Sequence, residues 1–235
     1  MTTGVGQKSR TMAASEHILR IAPAGAPRAT VLVVPPLFEE ANRTRRTLVL
    51  AMRALAARGF AAALPDLPGQ NESLVAPESV DLGMWQNALA ERAAAIDGPL
   101  LVASVRGGAL IDHRIKAAGW WRLAPAGGAS LLRTLLRARV SADREAGTTS
   151  SLESLTETAK TAPLLLAGNR LSPAMIAQLG SAEVQPVEPL RTLALGADGI
   201  AGTPLWLRAE PGEDAAMAEA IANDIATWST ACGAI

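Results

Sequence analysis

Continuous apolar runs alternate with segments of helical period along most of this chain. HILRIAP (17–23) alternates and predicts an edge strand. TVLVVPP (30–36) is apolar until its closing prolines, as in a strand buried on both faces. Arg43 to Arg58 predicts a helix, with Leu48, Met52 and Leu55 on one stripe and Gly59 as its C-cap. FAAALPDLPG (60–69) is a second buried strand leaving through a Pro/Gly loop. Asp81 is placed to cap a helix running through Trp85 and Leu89 to about Ile96. PLLVAS (99–104) predicts a third core strand, Gly108 to Ala118 a helix, and WWRLAPA (120–126) a fourth core strand.

The alternation then breaks. Residues 130–147 read as a basic amphipathic helix, 148–163 as a polar loop, and 164–181 as a short strand followed by a helix started at Ser172-Pro173. Residues 127–185 are therefore expected to form an insertion, a lid or cap over the C-terminal edge of the sheet. The αβ pattern resumes with strands at 190–198 and 204–212 and a final helix from Asp214 to about Thr227. The fold class this implies is α/β: a mostly parallel, doubly wound sheet with a short helical insertion. Residues 15–235 form a single domain in this reading, after a disordered lead-in at 1–14.

The chain is 235 residues long, enough for one sizeable core. Lys+Arg and Asp+Glu stand at 22 each, which argues against a nucleic-acid binder. Cys232, the only cysteine, permits no internal disulfide and fits a reducing compartment. With no histidine nearby in sequence it is a poor functional thiol. The N-terminus lacks the apolar core of a signal peptide, and Arg53 and Arg58 interrupt the longest apolar stretch, so neither secretion nor a membrane span is expected. The default is a cytoplasmic protein. The pattern calls for no cofactor and no metal.

Candidate chemistry lies between the third core strand and the helix expected after it. Ser104-Val105-Arg106-Gly107-Gly108 has the strand, the tight turn and the small flanking residues of a nucleophile elbow, G-x-S-x-G, the hallmark of the α/β-hydrolase fold. The tip, however, is Arg106, which stays protonated and cannot attack a substrate. Ser104, two residues back, is the alternative nucleophile, although a serine there is ordinarily a small packing residue. The histidine of a triad should follow the last strand, where Glu210-Pro211-Gly212 stands instead. Of the two histidines, His17 lies on the edge strand and His113 about 10 Å from the tip along a helix. Both read as structural. Asp198 holds the usual acid position, or is simply a turn residue in Gly196-Ala197-Asp198-Gly199.

The loop after the first core strand, which normally helps form an oxyanion hole, is LFEEANRTRR. Glu39 and Glu40 would oppose an oxyanion there. They suit a guanidinium instead, because arginine at the floor of a cleft needs a carboxylate or an anionic ligand. Contact of Glu39 or Glu40 with Arg106 is one expectation; two solvated glutamates favouring a helix dipole is the other.

These segments together resemble the exosortase A system-associated hydrolases, the second of their two types. The PPF-x-EE-x-N-x-x-RR segment of that family is matched by Pro35, Pro36, Glu39, Glu40, Asn42, Arg45 and Arg46. Its D-L-x-G-x-G-x-S loop is matched by Asp66, Leu67, Gly69 and Ser73, with Asn71 in place of the second glycine. SVRGGAL resembles the type's G-L-R-L-G-A-L elbow, with Ser104 for glycine; LLLAGNRLSPAMIAQL and GTPLWLRAEP resemble later pieces. The resemblance implies an α/β-hydrolase fold and a role beside bacterial exopolysaccharide synthesis and PEP-CTERM protein sorting. It also implies that an arginine at the elbow belongs to the type.

Three functional readings follow. One is a hydrolase fold without serine hydrolysis, in which Arg106, Gly107 and Gly108 form an anion site shaped by Glu39, Glu40, Asn42 and Asp66, for a small anionic or acyl ligand. Another is an active hydrolase of carboxylic esters or thioesters, using Ser104 or Asp198. The third is an interaction scaffold working through the basic helix at 130–144, with partners in exosortase or exopolysaccharide machinery.

Overall fold

A computed structural model of the chain describes residues 16–231 and 233. The lead-in expected at 1–14 and Cys232 lie outside the described residues. The first five strands are β1 (Ile18–Ile21), β2 (Thr30–Val34), β3 (Ala61–Pro65), β4 (Leu100–Val105) and β5 (Gly119–Leu123). A separate antiparallel hairpin comprises β6 (Leu164–Leu166) and β7 (Asn169–Leu171), and β8 (Leu190–Leu193) rejoins the main sheet. The main sheet has the order β1-β3-β2-β4-β5-β8 and is parallel except for β1. Every residue of β2, β4 and β5 is buried, which explains their largely apolar runs.

Strand alternation sorts side chains onto two faces. Val31, Val33, Leu101, Ala103 and Trp121 pack under two long helices, α1 (Glu39–Ala57) and, near the C-terminus, α6 (Ala215–Ala231). Leu48, Met52 and Leu55 are the buried stripe of α1, and Gly59 ends it with φ 84°. The helix starts at Glu39, earlier than the period predicts, because Glu39 and Glu40 in its first turn complement the dipole. Leu32, Val34, Leu100 and Val102 face the other way, toward α2 (Leu82–Ala94) and the insertion. Asp81 caps α2 by accepting from the Met84 amide at 2.8 Å.

The insertion holds α3 (Gly128–Glu145), α4 (Leu152–Thr158), the β6–β7 hairpin and α5 (Pro173–Ser181). Its apolar residues Leu131, Leu135, Met175 and Leu179 join the same core as Val34 and Val102. Gly128 allows the close crossing of α3 and α5, since a Cβ there would lie 2.0 Å from the Leu179 carbonyl oxygen.

Three expected elements differ. Residues 108–118 are not a helix: a short 3-10 turn, Arg106–Leu110, is followed by an irregular link to β5. Asp112 is drawn inward there to neutralise a buried arginine, and helical geometry yields to that demand. Within the expected polar loop at 148–163, Ser151 and Ser154 cap each other reciprocally and start α4, whose Leu155 is buried. The strand expected at 204–212 is instead a 3-10 turn, Leu205–Leu207, leaving β8 at the sheet edge. Trp206 folds over the elbow, and its carbonyl accepts from Arg43 at 2.8 Å.

Candidate functional site

The turn after β4 has the elbow's geometry. Arg106 adopts φ 54°, the left-handed conformation that a side chain at such a tip is forced into. Gly107 and Gly108 are both buried. A Cβ on Gly108 would lie 2.6 Å from the Pro35 carbonyl oxygen and 2.7 Å from that of Val34, so only glycine fits against the end of β2.

The guanidinium at the tip is held on several sides. Arg106 Nε and Nη2 donate to the two oxygens of Glu40 at 3.2 and 3.3 Å. Nη1 donates to the Ala124 carbonyl at 3.3 Å. The Trp206 ring lies 4.8 Å from Arg106 Cζ, in cation–π range. Side-chain exposure is 20% for Arg106 and 11% for Glu40. Burial raises the Glu40 pKa above its ordinary value, while the hydrogen bond and charge of Arg106 oppose the rise. Of the two glutamates, Glu40 therefore makes the expected contact with Arg106. Glu39 pairs with Arg43 at 3.4 Å along the surface of α1.

Ser104 lies beneath the tip and faces the interior. Its hydroxyl donates to Asp112 Oδ2 at 2.6 Å, and the residue is fully buried. Strand register places Ser104 beside Arg122 of β5, on one face. Arg122 Nε and Nη2 donate to Asp112 at 2.9 and 2.6 Å, and Nη1 donates to the Gln185 carbonyl at 2.8 Å. Trp120 Nε1 donates to the Asp112 carbonyl at 3.3 Å. Neither Asp112 nor Arg122 stands out as a site residue in the sequence. The available signal was an arginine inside the apolar run WWRLAP, since buried arginine implies a buried carboxylate.

The remaining candidates are dispersed. Asp198 is exposed in the turn between Leu195 and Ile200. Asp66 is buried after β3, accepting from Arg45 at 3.2 Å and Asn71 at 2.6 Å. His17 Nδ1 lies 3.8 Å from Asp66 Oδ2, which itself accepts no hydrogen bond. His113 follows the 3-10 turn with its Nδ1 unpartnered, and its pKa is lowered by burial and then by the nearby Arg114 charge. Neither histidine is hydrogen-bonded to Ser104. Arg46 of the RR pair bonds Glu213 at 2.5 Å. Asn42 alone among the candidates lines an open cavity of about 310 Å³, bounded by the loops after β2 and β3 and by the β6–β7 turn.

No family model and no curated protein matches this sequence. Solved structures do match. Est1E from Butyrivibrio proteoclasticus with ferulic acid bound superposes with a TM-score of 0.54 at 16% identity, over 77% of this chain and 74% of that one. Alpha/beta hydrolase domain-containing protein 10 from mouse gives 0.49 at 14% identity, over 76% and 72%. The likeness to the Butyrivibrio protein, together with the sheet order, establishes the α/β-hydrolase fold. No helix among the described residues is long and apolar enough to cross a membrane.

Proposed function

We propose that this protein uses the α/β-hydrolase fold for binding, as an accessory protein, without serine hydrolysis. The observation that carries this reading is the Arg106–Glu40 pair at the elbow. A fixed cation, paired on two nitrogens by one carboxylate and covered by Trp206, occupies the place of a nucleophile. An anion at Arg106, Gly107 and Gly108 would have to displace Glu40 from the guanidinium, so the open cavity beside Asn42 is the better seat for a ligand. The likeness to exosortase A system-associated hydrolases supports a cytoplasmic role beside exopolysaccharide synthesis and protein sorting. The insertion at 127–185, whose hairpin borders the cavity, is then its cap.

A working ester or thioester hydrolase would require Ser104 to leave Asp112 and reach solvent. The test is p-nitrophenyl acetate, p-nitrophenyl butyrate and acetyl-CoA with purified protein. Turnover at the buffer rate is expected. Turnover above it that disappears in Ser104→Ala or Asp198→Asn overturns the reading.

A further inference from the structure

We infer that the cavity between α1 and the β6–β7 turn binds a neutral, polyhydroxylated ligand, a sugar ring being the simplest member of that class. This deepens the binding reading above and rests on it. Three of the lining amides are already engaged by the protein through their nitrogens.

Gln70 donates its amide nitrogen to the Gly69 carbonyl at 3.1 Å. Asn71 donates to the Asp66 carboxylate at 2.6 Å, and Asn169 to the Ala167 carbonyl at 3.0 Å. Carbonyl and carboxylate oxygens only accept. Each of these side chains therefore turns one N–H of its amide to the protein, and its oxygen accepts no hydrogen bond among the described residues. Asn42 adds a fourth amide, exposed on α1 and with no hydrogen bond among the described residues. The apolar wall adds no donor: Trp85 commits its indole N–H to the Pro68 carbonyl at 2.8 Å. The cavity thus offers amide oxygens as hydrogen-bond acceptors beside the remaining N–H donors of the same amides.

Charge narrows the ligand further. No carboxylate lines the cavity among the described residues, and its one charged group is Arg170, 3.7 Å from Glu78. A cation would meet Arg170 and no carboxylate in the lining. An anion would meet three amide oxygens that accept no hydrogen bond among the described residues, and Arg170 as its only countercharge, already shared with Glu78. A hydroxyl donates to those oxygens and accepts from Arg170 or Asn42, so neutral polyols fit all the groups present. A volume of about 310 Å³ is at the small end of ligand pockets, which suits one or two rings.

The experiment is saturation-transfer-difference NMR on the full chain. The probes are methyl α-D-glucopyranoside and maltose as neutral sugars, with D-glucuronate and D-glucosamine as charged counterparts. Transfer to a neutral sugar, exceeding that to either charged one, is expected. Asn42→Leu with Asn169→Leu should weaken binding about tenfold or more at an unchanged thermal midpoint, through lost hydrogen bonds. If that pair of substitutions lowers the midpoint, Asn42→Leu with Gln70→Leu replaces it. No transfer to either neutral sugar, a preference for glucuronate or glucosamine, or undiminished binding in the folded variant each overturns the inference. Ester turnover would overturn the binding reading instead, so the two failures are distinguishable.

Discussion

Asp112 and Arg122 form a bidentate ion pair in which the side chains are 0% and 2% exposed, and Ser104 donates into the same carboxylate. This pair explains why the chain after the elbow is not a helix. Arg122 is fixed inside the sheet by strand register, and its charge has to be met where it stands. Removing one partner leaves the other charged and buried. Asp112→Ala should cost about 3–5 kcal/mol of unfolding free energy by urea titration. Replacing both, as Asp112→Leu with Arg122→Met, should recover most of that loss. A double variant as unstable as the single one would show that the pair does more than neutralise charge.

Ser104→Ala should be mild by comparison. The substitution removes one hydroxyl while Asp112 keeps both bonds to Arg122. A loss of about 1 kcal/mol is expected from a single buried hydrogen bond. The same denaturation series measures it. A loss approaching that of Asp112→Ala would mean that Ser104 organises the ion pair rather than joining it.

The two elbow glycines should respond differently to alanine. At Gly108 the new Cβ meets two backbone carbonyl oxygens at the end of β2, which cannot move without disrupting the sheet. Gly108→Ala should therefore cost about 3 kcal/mol or more. At Gly107 the closest atom, 2.5 Å away, is the Leu131 Cδ1 methyl at the far end of a side chain, with Leu37 Cγ next at 3.1 Å. Gly107→Ala should cost about 1 kcal/mol, much of it absorbed by rotation of Leu131. Thermal midpoints of the two variants, compared side by side, decide it; equal shifts would contradict this account.

The elements that could be read from the sequence are those whose reasons are local. Largely apolar runs marked β2, β3, β4 and β5; Asp81 marked the start of α2; and the spacing of Ser104, Arg106 and Gly108 marked the elbow and its misplaced charge. The elements that could not be read take their form from distant partners. The segment after Leu110 has helical composition, but Asp112 answers to Arg122 on another strand. PLWL at 204–207 has the composition of a strand, but Trp206 is held by Arg106 and Arg43 from elsewhere in the chain. The cavity depends on the β6–β7 turn arriving opposite α1, which no local pattern encodes.

The Arg106–Glu40 pair makes a pH-dependent prediction. Burial raises the folded pKa of Glu40 above the value of 4.5 taken for the unfolded chain. Between those two values the folded state holds more protons than the unfolded state, so this group's contribution to stability falls as pH rises through that interval and then levels off. Arg106 restrains the effect because it lowers the pKa of Glu40. Arg106→Met keeps an unbranched side chain at the same φ but removes the charge. The Glu40 pKa should then rise further, and the interval of falling stability should reach to higher pH. At pH 8 the variant should be less stable than the native protein by about 2–3 kcal/mol, the low end for a broken buried pair because Arg106 keeps some solvent contact. Toward pH 4 Glu40 becomes protonated in the folded state and the difference should shrink. Urea unfolding of both proteins at pH 4, 6 and 8 tests this, and a difference that stays constant across the three would show that Arg106 acts through packing on Trp206 rather than through its charge.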